Sequence, residues 1–258
     1  MPDFRAMRLG RRPCDPEQIA RAPQLAHHVR VLRPPPASLS QRAQVPYAPK
    51  LHRNDSLGDC GAVGIANGAQ ADAALRGYAL DIATERVVDG LYARGGYREG
   101  HPETDTGLVL VDVLQGLARK AWYAGDQLPL TGPWATVDPD DRAMLARCMD
   151  RIGWVYAGVD LAPADLAVDF WDTSLPAFAG DPVPRSDLGH CIDLYWYDGL
   201  DDTDLVHVGT WGLIMRATWR WVHSRLRESH AVIWRPLAGI DYDSLCADVE
   251  TYGKVGEA

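Results

Sequence analysis

Two short segments hold the residue types that could do covalent chemistry. The first is His52-Arg53-Asn54-Asp55-Ser56-Leu57-Gly58-Asp59-Cys60-Gly61. Cys60 follows a glycine-containing turn and opens a proline-free run, CGAVGIANGAQADAALR, whose small residues suit a closely packed helix over 60–76. A thiol at a helix N-terminus sits where the backbone favours negative charge, which lowers its pKa and favours the nucleophilic thiolate. The second segment is Gly189-His190-Cys191, 130 residues downstream, with the histidine opening an alternating strand. An imidazole beside the thiol would complete a thiolate–imidazolium pair able to attack a carbonyl.

The other cysteines point elsewhere. The five (Cys14, Cys60, Cys148, Cys191, Cys246) are odd in number and contain no C-x-x-C pair, which argues against a zinc knuckle or a dithiol redox site. Cys191 faces away from His190 on its strand and reads as core. Asp138-Pro139-Asp140-Asp141 is an acidic cluster, but acids in a first helical turn complement the helix dipole. No metal and no cofactor is expected.

The elements that must position the pair follow from periodicity. Beyond the 60–76 helix, residues 81–94 and Thr106–Ala124 read as helices, the latter capped by Asp105 or Thr106. A further helix runs from Asp138 to about Arg151. Strand-like runs then cover Trp154–Val159, His190–Tyr197, Leu205–Trp211 and His230–Trp234, with a helix at Thr218–Glu228 before the last. Helices first and antiparallel strands later is the α+β order. The turn signal DGLDDTD makes the second and third strands a hairpin in which opposed positions sum to about 402. That register sets His190 opposite residue 212, close to Thr210 and Trp211: a hydroxyl to orient the ring and an indole to shield it.

The first fifty residues differ from the rest. Residues 1–53 hold ten Lys/Arg against three Asp/Glu, a balance of +7, and the remainder hold 16 against 32, a balance of −16. Nine of the 18 prolines lie in this stretch, including Pro34-Pro35-Pro36. We therefore expect residues 1–50 to form an extended arm, with one short helix near Pro16–Ala26, ahead of a domain at 51–258. Three accounts of the arm stand open: a belt neutralising the acidic body, a tail for an acidic partner, or a removable pro-segment. The arm lacks interleaved aromatics and the body is acidic, so no nucleic-acid partner is expected. No apolar run reaches the roughly 18 residues of a membrane span, and no secretory signal peptide is expected from the N-terminus.

The order Gly-Asp-Cys-Gly at a helix start, Gly-His opening a strand, then Thr210-Trp211-Gly212 resembles that of papain-like cysteine peptidases. More narrowly, Asn54-Asp55-x-x-Gly58-Asp59-Cys60, Thr104-Asp105-Thr106-Gly107, Val155–Val159 and the two later motifs resemble papain-like proteins of tailed phages and prophages. The resemblance covers roughly residues 50–235. It implies a helical part carrying Cys60 as nucleophile and an antiparallel sheet carrying His190 as general base. It also implies Asn54 in the oxyanion hole, where papain-like enzymes place a glutamine, and Thr210 orienting the imidazole. Gly58, Gly189 and Trp211 would line the substrate site. The family's asparagine corresponds to Gly209, which offers no side chain.

The expected function is hydrolysis of a peptide or amide bond, phage- or prophage-encoded, in host cytoplasm or virion. The alternative is a structural component of a phage particle that reuses the scaffold. Its arm would bind neighbouring virion subunits, and self-association into a homo-oligomer is compatible with a basic arm and an acidic body.

Overall fold

Proline density keeps the first fifty residues from forming one regular element, and among the described residues they carry only short turns and one short helix. The computed structural model describes residues 4–30, 33–126, 128–180 and 183–255, so residues 1–3 and 31–32 of the arm lie outside it. Phe4–Ala6, Leu25–His27 and Ser40–Gln44 form 3-10 turns. Pro16–Arg21 forms a short helix, α1, whose N-cap Asp15 accepts from the Glu17 N–H. Apolar side chains draw the arm inward, with Phe4, Leu25 and Leu39 buried in the core of the body. Its cations meet acids there: Arg8 pairs with Asp105, Arg30 with Asp241 and Lys50 with Asp81. These pairs set cations of the arm against acids of the body.

The helix at Cys60–Leu75, α2, is buried from Cys60 to Ala73. A helix hidden on every side must be approached closely, and its small residues allow this. A Cβ at Gly64 would lie 2.9 Å from the Tyr156 ring and 3.0 Å from Cys191 Sγ, and one at Gly68 would lie 2.3 Å from the Trp154 ring. The helix expected over 81–94 shrinks to α3 (Thr84–Val88) and a 3-10 turn at Tyr92–Gly95, interrupted by Gly90 and closed by the left-handed Gly96. The next helix, α4, runs only over Leu110–Arg119. Gly107 has φ +76°, a left-handed conformation that no helix can include, so α4 starts beyond it and neither Asp105 nor Thr106 caps it.

Two short strands, β1 (Trp122–Gly125) and β2 (Leu128–Leu130), pair with each other. Then come β3 (Trp134–Val137) and α5 (Arg142–Arg151), whose N-cap Asp141 accepts from the Met144 N–H. The remaining elements are β4 (Val155–Asp160), β5 (Phe170–Trp171), β6 (Gly189–Tyr197), β7 (Leu205–Thr210), β8 (Leu213–Thr218), α6 (Trp219–Arg225), β9 (Leu226–Val232) and α7 (Tyr242–Val255). The large sheet has seven strands in the order β3-β9-β4-β6-β7-β8-β5, antiparallel except for β5 beside β8. The helical part carrying Cys60 packs on this sheet through α2, Tyr156 on β4 donating its hydroxyl to the Gly61 carbonyl at 2.8 Å. The class is α+β.

Because Gly68 faces the Trp154 ring at a distance no methyl group can share, Gly68→Ala should lower stability by about 1–3 kcal/mol despite alanine's higher helix propensity. Chemical denaturation measures this. An unchanged or raised midpoint would show that α2 does not lie against β4 as described.

Candidate active site

The loop before Cys60 is set by backbone conformation. His52 and Arg53 have φ of 48° and 73°, and this left-handed pair lets Arg53 O accept from the N–H groups of Ser56 and Leu57. Asn54 is buried, and its Nδ2 donates to Leu57 O at 3.2 Å. Downstream, Asp105 pins the turn: Oδ1 accepts from the Gly58 N–H at 2.9 Å and from the Tyr92 hydroxyl, while Oδ2 takes Arg8 at 3.0 Å. Burial works to raise the Asp105 pKa, but these donors outweigh it and hold the carboxyl below its ordinary range. Asp105 was legible as a candidate helix cap and as part of the Thr104–Gly107 motif, with no role assigned to it there. Its actual role is to fix the position of Gly58, and hence of the backbone N–H groups at the start of α2.

His190 stands at the start of β6. Its Nε2 lies 2.8 Å from Thr210 Oγ1 on β7, and its Nδ1, on the other side of the ring, is buried without a hydrogen-bond partner. The observed pairs Asp193↔Gly209 and Leu194↔Val208 sum to 402, and a bulge between Leu194 and Trp196 shifts the far end of the hairpin only. Gly209 proves irrelevant to the imidazole. Alternation turns it to the opposite face, where the Tyr195 ring would lie 2.4 Å from an added Cβ. Trp211 stacks on His190 with ring centroids 4.4 Å apart, and Phe4 of the arm stacks on Trp211 at 4.7 Å. Trp211 and Gly212, at φ 44° and 73°, form the two-residue turn between β7 and β8. A tryptophan held left-handed is unusual, and here it places the indole over the ring. Trp196 is only half-buried and stacks on His207 at 4.6 Å.

Sequence reasoning left a pro-segment open but did not place the arm across this site. Gly10 O accepts from the Leu108 N–H at 2.7 Å, Arg12 N–H donates to Leu108 O at 2.8 Å, and Arg11 N–H donates to Gly189 O at 3.2 Å. The path is lined by glycines. A Cβ at Gly58, Gly107 or Gly189 would lie 3.3, 2.1 or 2.4 Å from atoms of Gly10 or Arg11. Gly58 and Gly189, expected to line the substrate site, therefore line a trench that already holds a peptide main chain.

This cover reverses the expected electrostatics. Cys60 is 2% exposed and His190 is 0% exposed. Burial pushes the Cys60 thiol up to about 12, against the backbone N–H groups of Cys191, Gly10 and Gly61 that favour the thiolate. Burial likewise pushes His190 down to about 3 and Asp59 up to about 8, the Asn54 amide lying near enough to Asp59 to oppose the shift without a well-directed bond. In this form Cys60 is a thiol and His190 a neutral imidazole, unjoined by a hydrogen bond. No metal-binding group of three or more His, Cys, Asp or Glu occurs among the described residues.

The sequence matches no family model and no curated protein. Among solved structures it is similar to a digestive procathepsin L 3 of Tenebrio molitor larval midgut, at 14% identity and TM-score 0.57 over 83% of this chain and 77% of that one. It is also similar to xylellain, a cysteine protease from Xylella fastidiosa, at 13% identity and TM-score 0.55 over 90% and 97%. A third similar structure is Amb a 11, a ragweed pollen cysteine protease in its proform, at 12% identity and TM-score 0.56 over 83% and 71%. What the chain shares with them is the papain-like fold.

In the intact chain, alkylation of Cys60 by iodoacetamide should stay slow up to pH 9 and rise only toward pH 12. The folded chain keeps a proton that the unfolded chain releases above the ordinary thiol value of 9.0, so this group's contribution to stability falls as pH rises from about 9 to about 12. Site-resolved mass spectrometry reads the labelling rate. Half-maximal reactivity near pH 7 would contradict a desolvated thiol.

Proposed function

We propose that this papain-like chain is a cysteine hydrolase of peptide or amide bonds, held latent by its own residues 4–12. The observation that carries the reading is the histidine's bonding. Nε2 lies 2.8 Å from Thr210 Oγ1 and Nδ1 has no partner; with the ring proton on Nε2, the Nδ1 lone pair is available for the Cys60 proton. When the arm leaves, water reaches the thiol and the imidazole, the desolvation that holds both neutral is relieved, and the helix N-terminus favours the thiolate.

Catalysis then proceeds in two halves. Cys60 gives its proton to His190 Nδ1, and Sγ attacks the substrate carbonyl carbon. The oxyanion is met by the Cys60 N–H at the open end of α2 and by the Asn54 amide. His190 returns the proton to the leaving nitrogen as the C–N bond breaks, which leaves a thioester. Water, deprotonated by His190, adds to the thioester carbonyl, and collapse releases the carboxylic acid and restores Cys60. Trp211 keeps water off the histidine's face, and Thr210 is a positioning residue that fixes the tautomer.

Two of the similar solved structures are a procathepsin and a proform, which supports reading the arm as a pro-segment. The alternative, an arm that laces neighbouring virion subunits together, is less favoured because the anchors Phe4, Arg8 and Arg11 are engaged within their own chain. The motif resemblance supports a phage or prophage setting for the hydrolase, its substrate a peptide or peptidoglycan amide met at entry or exit.

The test uses the full-length chain with Arg11→Ala, which loosens the segment over the trench. Hydrolysis of unfolded casein should rise above that of the unaltered chain and vanish on adding Cys60→Ala or His190→Ala. Adding Asn54→Ala should lower turnover about 10²-fold. A folded Arg11→Ala chain whose Cys60 alkylates rapidly at pH 7 yet hydrolyses nothing would leave a scaffold without chemistry.

A further inference from the structure

The main-chain contacts of Gly10–Arg12 would hold any peptide, since Leu108 and Gly189 present only backbone groups to it. One contact is specific to a side chain. Arg11 Nε donates to Glu228 Oε1 at 2.7 Å and Nη1 donates to Asp160 Oδ1 at 2.7 Å, with the guanidinium buried between β4 and β9. Gly158 makes the room: a Cβ there would lie 2.5 Å from Arg11 Nε. The slot opens beside the reacting pair, because Arg11 N–H bonds Gly189 O, one residue before His190.

We infer that the slot between Asp160, Glu228 and the bare main chain of Gly158 selects an arginine side chain of the peptide substrate, and that Arg11 is its internal occupant. This rests on the hydrolase reading above. The two acids do not depend on Arg11 to stay in place. Asp160 Oδ2 also accepts from Arg227 Nε at 3.0 Å, and Glu228 Oε2 faces His230 Nε2 at 3.1 Å. The slot is therefore formed in advance of its ligand, and its occupant is exchangeable. Burial alone would raise Glu228, but His230 and Arg11 outweigh it and keep the carboxyl below its ordinary range, charged as a cation site requires. Carboxylates from two strands meet two different nitrogens of one planar fork, a match that lysine's single ammonium does not reproduce.

The probe is acetyl-Gly-Arg-amide, with acetyl-Gly-citrulline-amide as its neutral isostere and acetyl-Gly-Lys-amide as the point-charge control. Titrated calorimetrically into the full-length Arg11→Ala chain, the arginine peptide should bind at least about tenfold more tightly than either control. Adding Glu228→Gln should abolish that preference. Equal binding of the arginine and citrulline peptides, or no binding of either by a folded variant, overturns the inference. Binding and turnover separate the two readings. Arginine preference without hydrolysis of any peptide leaves the slot and removes the hydrolase, whereas hydrolysis indifferent to arginine does the reverse. Should Arg11→Ala not fold, Glu228→Gln in the otherwise unaltered chain decides the matter. Weakening the slot should free the arm and speed iodoacetamide labelling of Cys60 about tenfold or more, and an unchanged rate overturns the inference.

Discussion

Desolvation of one thiol and one imidazole governs the state of this molecule. Cys60 lies at the start of a helix whose backbone N–H groups favour a thiolate, yet burial pushes it up to about 12 and pushes His190 down to about 3. Both groups are neutral; Gly10 of the arm lies against Cys60, Arg11 bonds Gly189 beside His190, and Trp211 stacks on the imidazole. A neutral pair, even with Nδ1 unpartnered, costs less to bury than an ion pair, which would demand close hydrogen bonds that this geometry does not supply. The closed form and the chemically silent form are thus one state. The loop geometry, the stacked rings and the arm all act on that state by setting how much water reaches residues 60 and 190.

How the segment is held bears on the proposed latency. Its main chain runs through a trench cleared by Gly58, Gly107 and Gly189 and bonds to backbone groups that any peptide would satisfy equally. Phe4 adds an aromatic stack on Trp211, and Arg11 adds a charge-assisted pair of bonds in a buried slot. Buried ion pairs contribute less net stability than their geometry suggests, because desolvation offsets most of the attraction, but they fix register strictly. A cover built this way is accurately placed without being immovable.

The sequence made much of this legible, for reasons that differ by element. The small residues of 60–76 demanded a helix approached closely, and α2 is that helix. The hairpin sum of 402 brought Thr210 to His190 because alternation is rigid near the pairing and the bulge falls on the turn side of it. The same alternation shows why comparing Gly209 with the family's asparagine misled: the side-chain space of Gly209 belongs to the Tyr195 ring. Helix boundaries failed where one backbone conformation overrode a good pattern, as Gly107 did for α4. Short strands such as β1, β2 and β5 have too few residues for a period to emerge, and β8 carries only a weak one.

The arm was beyond reach of sequence reasoning for a more basic reason. Its composition declared a charge imbalance, which any of several seatings would satisfy, and surface pairs such as Arg30 with Asp241 contribute little toward choosing among them. What chooses is the coincidence of three absent Cβ atoms along one path with a slot whose two acids arise from strands some seventy residues apart, Asp160 on β4 and Glu228 on β9. None of these residues declares the path alone: Gly58 and Gly189 were expected beside the substrate, Gly107 lay in a motif without an assigned role, and Asp160 and Glu228 were not singled out. Only when β4 and β9 lie side by side, Gly158 opposite Glu228, does the missing side chain become room for a guanidinium. The seat of Arg11 is a space between strands, and a space has no signature in a linear pattern.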